Sequence, residues 1–72
     1  MWVIKEGVSF VNGFDHDHAA LIMTLQPGEA KRFGSQREAE LWVEQYGKDL
    51  ESYRILDGEQ LLGAARGLRP LR

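Results

Sequence analysis

The sequence predicts a small α+β domain. One main helix, at about residues 36–46, is expected to pack on one face of a small antiparallel sheet of three to four strands. Beyond Ser35, apolar side chains recur at helical spacing and form one stripe: Ala39, Trp42, Val43, Tyr46 and Leu50. Short segments rich in β-branched and aromatic residues lie before and after this stripe. Because one helix cannot bury its stripe alone, a sheet formed by these segments is the available partner.

The N-terminal residues predict the first elements of the sheet. Residues 2–5 suit a strand, Gly7 suits the positive φ of a tight turn, and residues 8–11 alternate like a second strand. One bulged strand over residues 2–11 is an equally fair interpretation.

The middle of the chain contains a third strand and an ambiguous segment. Residues 12–18 are polar and begin with an Asn-Gly turn signal, and residues 19–25 are predicted to be a strand. The Pro-Gly pair at 27–28 fits the centre of a type II turn, after which residues 30–33 would form an edge strand. Alternatively, the proline begins a single helical turn that ends near Phe33. In both cases Phe33 is the apolar anchor at the entrance to the helix.

The main helix has a signal at each end. Ser35 and Glu38 have the spacing of a capping box, in which the hydroxyl accepts from the N–H of Glu38 and the carboxylate accepts from the N–H of Ser35. Gly47 is predicted to end the helix in a left-handed conformation, and residues 53–56 to form the last strand. Trp42 is predicted to be central in a core made of Val3 or Trp2, with Ile4, Phe10, Ile22, Leu25, Phe33, Ala39, Trp42, Val43, Tyr46 and Ile55.

Residues 1–65 are expected to form a single domain, with residues 66–72 as a mobile tail. Residues 59–65 are a candidate for a short second helix. The chain has no cysteine, which excludes a disulfide framework, a thiolate metal site and a cysteine nucleophile, and favours an intracellular, cytoplasmic protein. No signal peptide is recognised, and the longest apolar run, residues 19–23, is too short to span a membrane.

Candidate catalytic groups are few. The run Asp15-His16-Asp17-His18 carries side chains that suit zinc or nickel, but adjacent loop residues rarely converge on one centre. A solvated loop without metal is therefore expected. Ser35 is explained as a helix cap, and no glycine-rich phosphate loop is present. The sequence thus predicts a protein that is not an enzyme and needs no cofactor.

Charge is divided unevenly along the chain. Residues 38–59 hold seven acidic and two basic residues, whereas residues 66–72 hold three arginines and no acid. An ordinary solvated helix with a basic tail would also give this pattern. As a functional interpretation, the acidic segment predicts a protein-binding face, with Leu41 as an apolar side chain off the buried stripe. The predicted face consists of Glu40, Leu41, Glu44, Asp49 and Glu51.

Two other functions are also compatible with the sequence. Arg66, Arg69 and Arg72 could bind nucleic-acid phosphates, although residues 1–65 carry a net charge of −5, the wrong sign for such a domain. A chain with so small a core could also cover its remaining apolar surface in a homodimer.

Three stretches carry a resemblance to a known class of proteins. They are Met-Trp-Val-Ile-Lys at residues 1–5, Ala-Lys-Arg-Phe-Gly-Ser at residues 30–35 followed by Glu38-Ala39, and Tyr-Arg-Ile-Leu at residues 53–56. This arrangement resembles small uncharacterised β-β-(β)-α-β proteins of phages and prophages. The match consists of folding signals over roughly the first 56 residues, and residues 15–18 and the arginine-bearing C-terminus depart from it.

The resemblance implies a small phage accessory protein, a class that includes inhibitors of host defence such as anti-CRISPR proteins. Such inhibitors occupy the surface of a larger host protein, often with acidic residues in the place of nucleic-acid phosphates. It therefore implies a host protein as the partner, bound in the cytoplasm of the bacterial host.

Overall fold

A computed structural model describes residues 1–58 as a four-stranded antiparallel sheet with one α-helix, which confirms the predicted fold class. The strands occur in the spatial order β3-β2-β1-β4. The elements in chain order are β1 (Trp2–Glu6), β2 (Ser9–Asp15), β3 (Ala20–Thr24), a 3₁₀ turn (Pro27–Glu29), α1 (Gln36–Tyr46) and β4 (Tyr53–Asp57). The predicted second helix at 59–65 and the tail with Arg66, Arg69 and Arg72 lie outside the described residues. No helix in residues 1–58 has the length and apolar character needed to cross a membrane.

The first two strands form a hairpin rather than one bulged strand. Gly7 has a φ of +62°, as predicted for the turn, and Lys5 pairs with Phe10 in the ladder that follows. The Asn-Gly pair at 12–13, however, does not turn the chain, because β2 continues through it. A register shift between Val11 and Gly13 accommodates the pair inside the strand.

The segment before the helix lies between two strands and is not an edge strand. The N–H of Lys31 donates to the carbonyl of Val11 in β2 at 2.8 Å. Phe33 and Trp2 of β1 each donate to the other's carbonyl, also at 2.8 Å. The preceding Pro27–Glu29 turn is helical, as the second interpretation predicted.

The core lies between the sheet and α1, with a second apolar cluster on the opposite sheet face. Successive side chains of a strand point to opposite faces, so neighbouring residues Val3 and Ile4 enter different clusters. The helix-side cluster consists of Ile4, Val11, Phe33, Ala39 and Val43, with Trp2, Trp42, Leu50 and Ile55 partly buried around it. The second consists of Val3, Phe10 and Ala30, with Leu56 partly buried against it.

Some core predictions were wrong. Ile22 is 44% exposed, because β3 is the edge strand of the sheet, and Leu25 is 66% exposed, because it lies beyond the end of that strand. Trp42 is only half-buried and packs at the rim of the cluster, so it is not central. Val11 and Ala30 are buried although the sequence did not predict it.

Both ends of α1 differ in detail from the prediction. The hydroxyl of Ser35 accepts from the N–H of Glu38 at 3.1 Å, which confirms the cap. The Glu38 carboxylate accepts from the N–H of Gly34, not from that of Ser35. Gly47 has a φ of −94°, so the left-handed ending was wrong. A Cβ at this glycine would lie 2.8 Å from Cγ1 of Val43 and 2.9 Å from its carbonyl oxygen, so close packing excludes a side chain there.

Candidate protein-binding surface

The outer surface of α1 carries the predicted apolar residue of the binding face. Leu41 is 48% exposed, because its position on the helix points away from the buried residues Ala39 and Val43. Its exposure confirms the prediction that it lies off the buried stripe.

A shallow hollow of about 390 Å³ lies beside this leucine and is called the Leu41 hollow here. It is lined by Lys31, Arg32, Phe33, Glu38, Leu41, Trp42 and Gln45. Phe33 and Trp42 meet edge to face, with ring centroids 5.8 Å apart, and Nζ of Lys31 lies 5.5 Å from the Phe33 centroid. The hollow therefore combines an aromatic and aliphatic lining with charged groups of both signs.

Glu40 and Glu44 lie together at a different depression. This Glu40 hollow, of about 620 Å³, is lined by Gln36, Arg37, Glu40, Glu44, Tyr53 and Ile55. The structure thus places the two carboxylates on the β4 side of the helix. Leu41 lines the other hollow, next to the cations Lys31 and Arg32.

The remaining two predicted residues lie beyond the end of the helix. Asp49 lines a third hollow with Phe14 and Tyr46. The backbone N–H groups of Glu51 and Ser52 donate to Oε2 of Glu6 at 2.7 and 3.0 Å, which ties this connector to β1. The five predicted residues therefore do not line one shared hollow, and basic side chains lie among them.

A row of aromatic rings crosses the helix side of the molecule, and the sequence did not predict it. Trp42 packs against Tyr46 at 5.1 Å between centroids, Tyr46 against Phe14 at 4.9 Å, and Phe14 against His16 at 5.2 Å. Phe33 extends the row beyond Trp42. The sequence does not indicate this row, because Phe14 and His16 lie in the stretch of residues 12–18 that was described as polar and as beginning with a turn.

The Asp15–His18 turn folds on its own polar contacts. Oδ1 of Asp15 accepts from the N–H groups of Asp17 and His18 at 3.0 and 3.4 Å, and Nδ1 of His18 donates to Oδ2 at 2.7 Å. This side-chain hydrogen bond, helped by the two backbone bonds, lowers the pKa of Asp15. Residues 1–58 contain no group of three or more histidine, cysteine or acidic side chains placed to hold a metal ion.

A pair of cations on the opposite face of the sheet was also missed. Lys5 and Arg54 are direct cross-strand neighbours in β1 and β4, and they line a hollow of about 360 Å³ with Gly7, Ser52 and Leu56. Within the described part of the chain neither cation has an acidic partner within ion-pair distance. No sequence spacing links the two residues, since only the sheet register brings them together.

No model of a known protein family matches this chain, and neither a curated protein nor a solved structure gives a match. The comparisons therefore do not bear on function, and the resemblance to phage proteins stays a prediction. What bears on function is the geometry of the described surface.

Proposed function

We propose that this domain is a non-enzymatic protein-binding module, which binds a larger protein in the cytoplasm through the outer surface of α1. The observation that carries the proposal is the exposed Leu41 beside the Phe33–Trp42 pair. Protein interfaces commonly have such a centre, in which apolar and aromatic side chains lose water while polar groups remain at the rim.

The charges around Leu41 restrict the kind of partner. Lys31 and Arg32 outnumber the single acid, Glu38, in the lining of the Leu41 hollow, and Glu40 and Glu44 line the depression on the β4 side. A complementary surface has acidic groups opposite the first pair and basic groups opposite the second, with an apolar group between them. This arrangement would fix the orientation of the partner and make the association rate depend on salt.

The test is capture of proteins from the native host by the tagged chain, with and without nuclease. Leu41→Lys is the diagnostic variant, and Val8→Lys is its matched control, because Val8 is 77% exposed at the β1–β2 turn and lines neither the Leu41 hollow nor the Glu40 hollow. We expect the parent chain to capture one partner protein even after nuclease treatment. Leu41→Lys should no longer capture this protein, whereas Val8→Lys should still capture it. Glu40→Lys combined with Glu44→Lys should slow its association and weaken the salt dependence.

Two results would overturn the assignment of this surface. A partner that binds Leu41→Lys as tightly as the parent places the interface elsewhere on the molecule. Capture of nucleic acid alone, abolished by deletion of residues 66–72, supports the rival function through Arg66, Arg69 and Arg72.

A role as an inhibitor of host defence is supported only by the resemblance to phage proteins over the first 56 residues. The predicted partner is then a host defence protein, such as a CRISPR effector. Expression of the chain in a bacterium with active CRISPR immunity should restore plating of a targeted phage, and Leu41→Lys should abolish that effect. Unchanged plating with the parent chain would remove this role and leave the binding surface to be tested by capture.

A further inference from the structure

The outer edge of β3 is unusual in its composition. Among the described residues β3 pairs with β2 alone, so its other side is a free sheet edge. Its sequence, Ala-Leu-Ile-Met-Thr, has no charged residue and no proline. Ile22 and Met23 are 44% and 37% exposed. The opposite edge, β4, carries Arg54 and Asp57.

Such an edge exposes backbone groups that a further strand can bind. In an antiparallel ladder, alternate residues direct both their N–H and their C=O away from the existing partner. Soluble proteins ordinarily protect such an edge with charges, proline or a bulge in the edge strand itself. Residues 20–24 have no charge or proline, and the register shift at Val11 and Gly13 places the extra residue in β2.

We propose that β3 pairs antiparallel with β3 of a second copy of this chain, around a twofold axis at Ile22. The two sheets then form one continuous sheet of eight strands, four from each copy. In this register Ile22 lies opposite its own copy, Leu21 lies opposite Met23, and Ala20 lies opposite Thr24. Each large side chain meets a large one, each small side chain meets a small one, and no like charges face each other.

The edge of β3 fits a second copy of the chain because the strand is complementary to itself. A twofold interface requires one patch to fit itself, and the five residues of β3 do so in size and in charge. Leu21 and Met23 share the face that includes Phe14, whereas Ile22 lies on the other face, so pairing covers exposed apolar side chains on both faces. The Leu41 hollow is formed by α1 and by the segment before it, so it lies outside the proposed β3–β3 interface.

The absence of cysteine allows a direct test of both pairing and register. At the twofold axis the two Cα atoms of residue 22 would be about 4.5–5.5 Å apart, within the range that a disulfide spans. The two Cα atoms of residue 23 would be roughly 8 Å apart, which is too far. We therefore expect Ile22→Cys to form a disulfide-linked dimer on mild oxidation, while Met23→Cys does not. Preferential cross-linking of Met23→Cys would overturn the proposed register.

Sedimentation analysis from micromolar to millimolar concentration tests the association itself. The parent chain should dimerise over this range, Ile22→Lys should remain monomeric with an unchanged far-UV circular dichroism spectrum, and Val8→Lys should dimerise like the parent. Leu41→Lys should also dimerise, which separates this proposal from the proposed function. A parent chain that is monomeric at every concentration, or a dimer that Ile22→Lys leaves intact, would overturn the proposal.

Discussion

Gly47 is fixed by the space around it rather than by its backbone angle. An added Cβ would lie 2.9 Å from the carbonyl oxygen of Val43, a backbone atom that cannot rotate away. We expect Gly47→Ala to lower the free energy of unfolding by about 1–3 kcal/mol, as overpacking typically does. Urea denaturation measures the effect.

Gly28→Ala is the matched control for that variant. A Cβ at Gly28 has no heavy atom within 4 Å and its φ is not positive, so this variant should be neutral or more stable by about 0.4–1 kcal/mol. If Gly47→Ala is as stable as the control, the packing explanation of Gly47 is wrong.

Ser35 is explained by its role as the cap of α1. Its hydroxyl accepts one backbone N–H that would otherwise lack a partner in the first turn. Ser35→Ala should therefore lower the free energy of unfolding by about 0.5–2 kcal/mol and leave binding by the folded protein unchanged. Thermal denaturation and the capture assay measure the two effects. A fully stable variant that no longer binds would show that Ser35 is part of the binding surface.

Residue-scale predictions succeeded where the chemistry is local. The hydroxyl of Ser35 needs only the backbone three residues ahead, so the sequence contained all of the relevant information. The steric role of Gly47 depends on the position of Val43 in the finished helix. A sequence pattern can propose a left-handed glycine there, but it cannot measure the available space.

The turn between β2 and β3 makes a pH-dependent contribution to stability. The pKa of Asp15 is lowered in the folded protein, chiefly by the side-chain hydrogen bond from His18. The ionised form therefore stabilises the fold above the unfolded pKa, and this contribution is lost as pH falls through the lower folded pKa. The stability contribution of ionised Asp15 is therefore lost at pH values below about 4.

Thermal denaturation of the parent and of Asp15→Asn tests this contribution. Between neutral pH and about pH 3, the melting temperature of the parent should fall further than that of the variant, because only the parent loses the ionised acceptor. Equal losses in the two proteins would show that the turn has no role in acid stability.

At the scale of elements, the sequence predicted three to four strands and one main helix, and it failed where the position of a strand in the sheet decides the outcome. An Asn-Gly pair suits both a turn and a bulge, and only the pairing of β2 with β3 distinguishes them. Ile22 was predicted to be in the core, but the position of β3 at the edge of the sheet exposes it. Strand order is set by long-range pairing, which local patterns do not contain.

The whole molecule depends on a small number of fully buried side chains. Ile4 and Val11 are completely buried at the centre of the helix-side cluster, whereas Trp42 lies at its rim. Ile4→Ala should lower the free energy of unfolding by about 2–5 kcal/mol, which is close to the total stability of so small a domain. Trp42→Ala should cost less than the 3–5 kcal/mol typical of a buried tryptophan.

Denaturation of the two variants side by side decides between the two core assignments. A cooperative transition kept by Trp42→Ala and lost or strongly lowered by Ile4→Ala supports the centre described above. The reverse order would restore Trp42 to the centre.

The candidate site could be predicted only in part, because it combines segments that are distant in sequence. Leu41 was recognised from helical periodicity alone. Its neighbours Lys31 and Arg32 come from the segment before the helix, and Glu40 and Glu44 lie beside β4. Counting charges along the chain assigns Leu41 and the two glutamates to one acidic face. The fold instead places Leu41 beside two cations and places Glu40 and Glu44 at a separate depression.

The hydrogen bonds of residues 31–33 link the proposed interface to the opening motions of the sheet. Phe33 and Lys31 line the Leu41 hollow, and their amides are held by carbonyls of Trp2 and Val11. Any fluctuation that separates β1 from this segment therefore also disassembles the lining of the hollow. A partner bound there would suppress that fluctuation, so slower amide hydrogen exchange at Phe33 and Trp2 would report occupancy of a surface formed mainly by side chains.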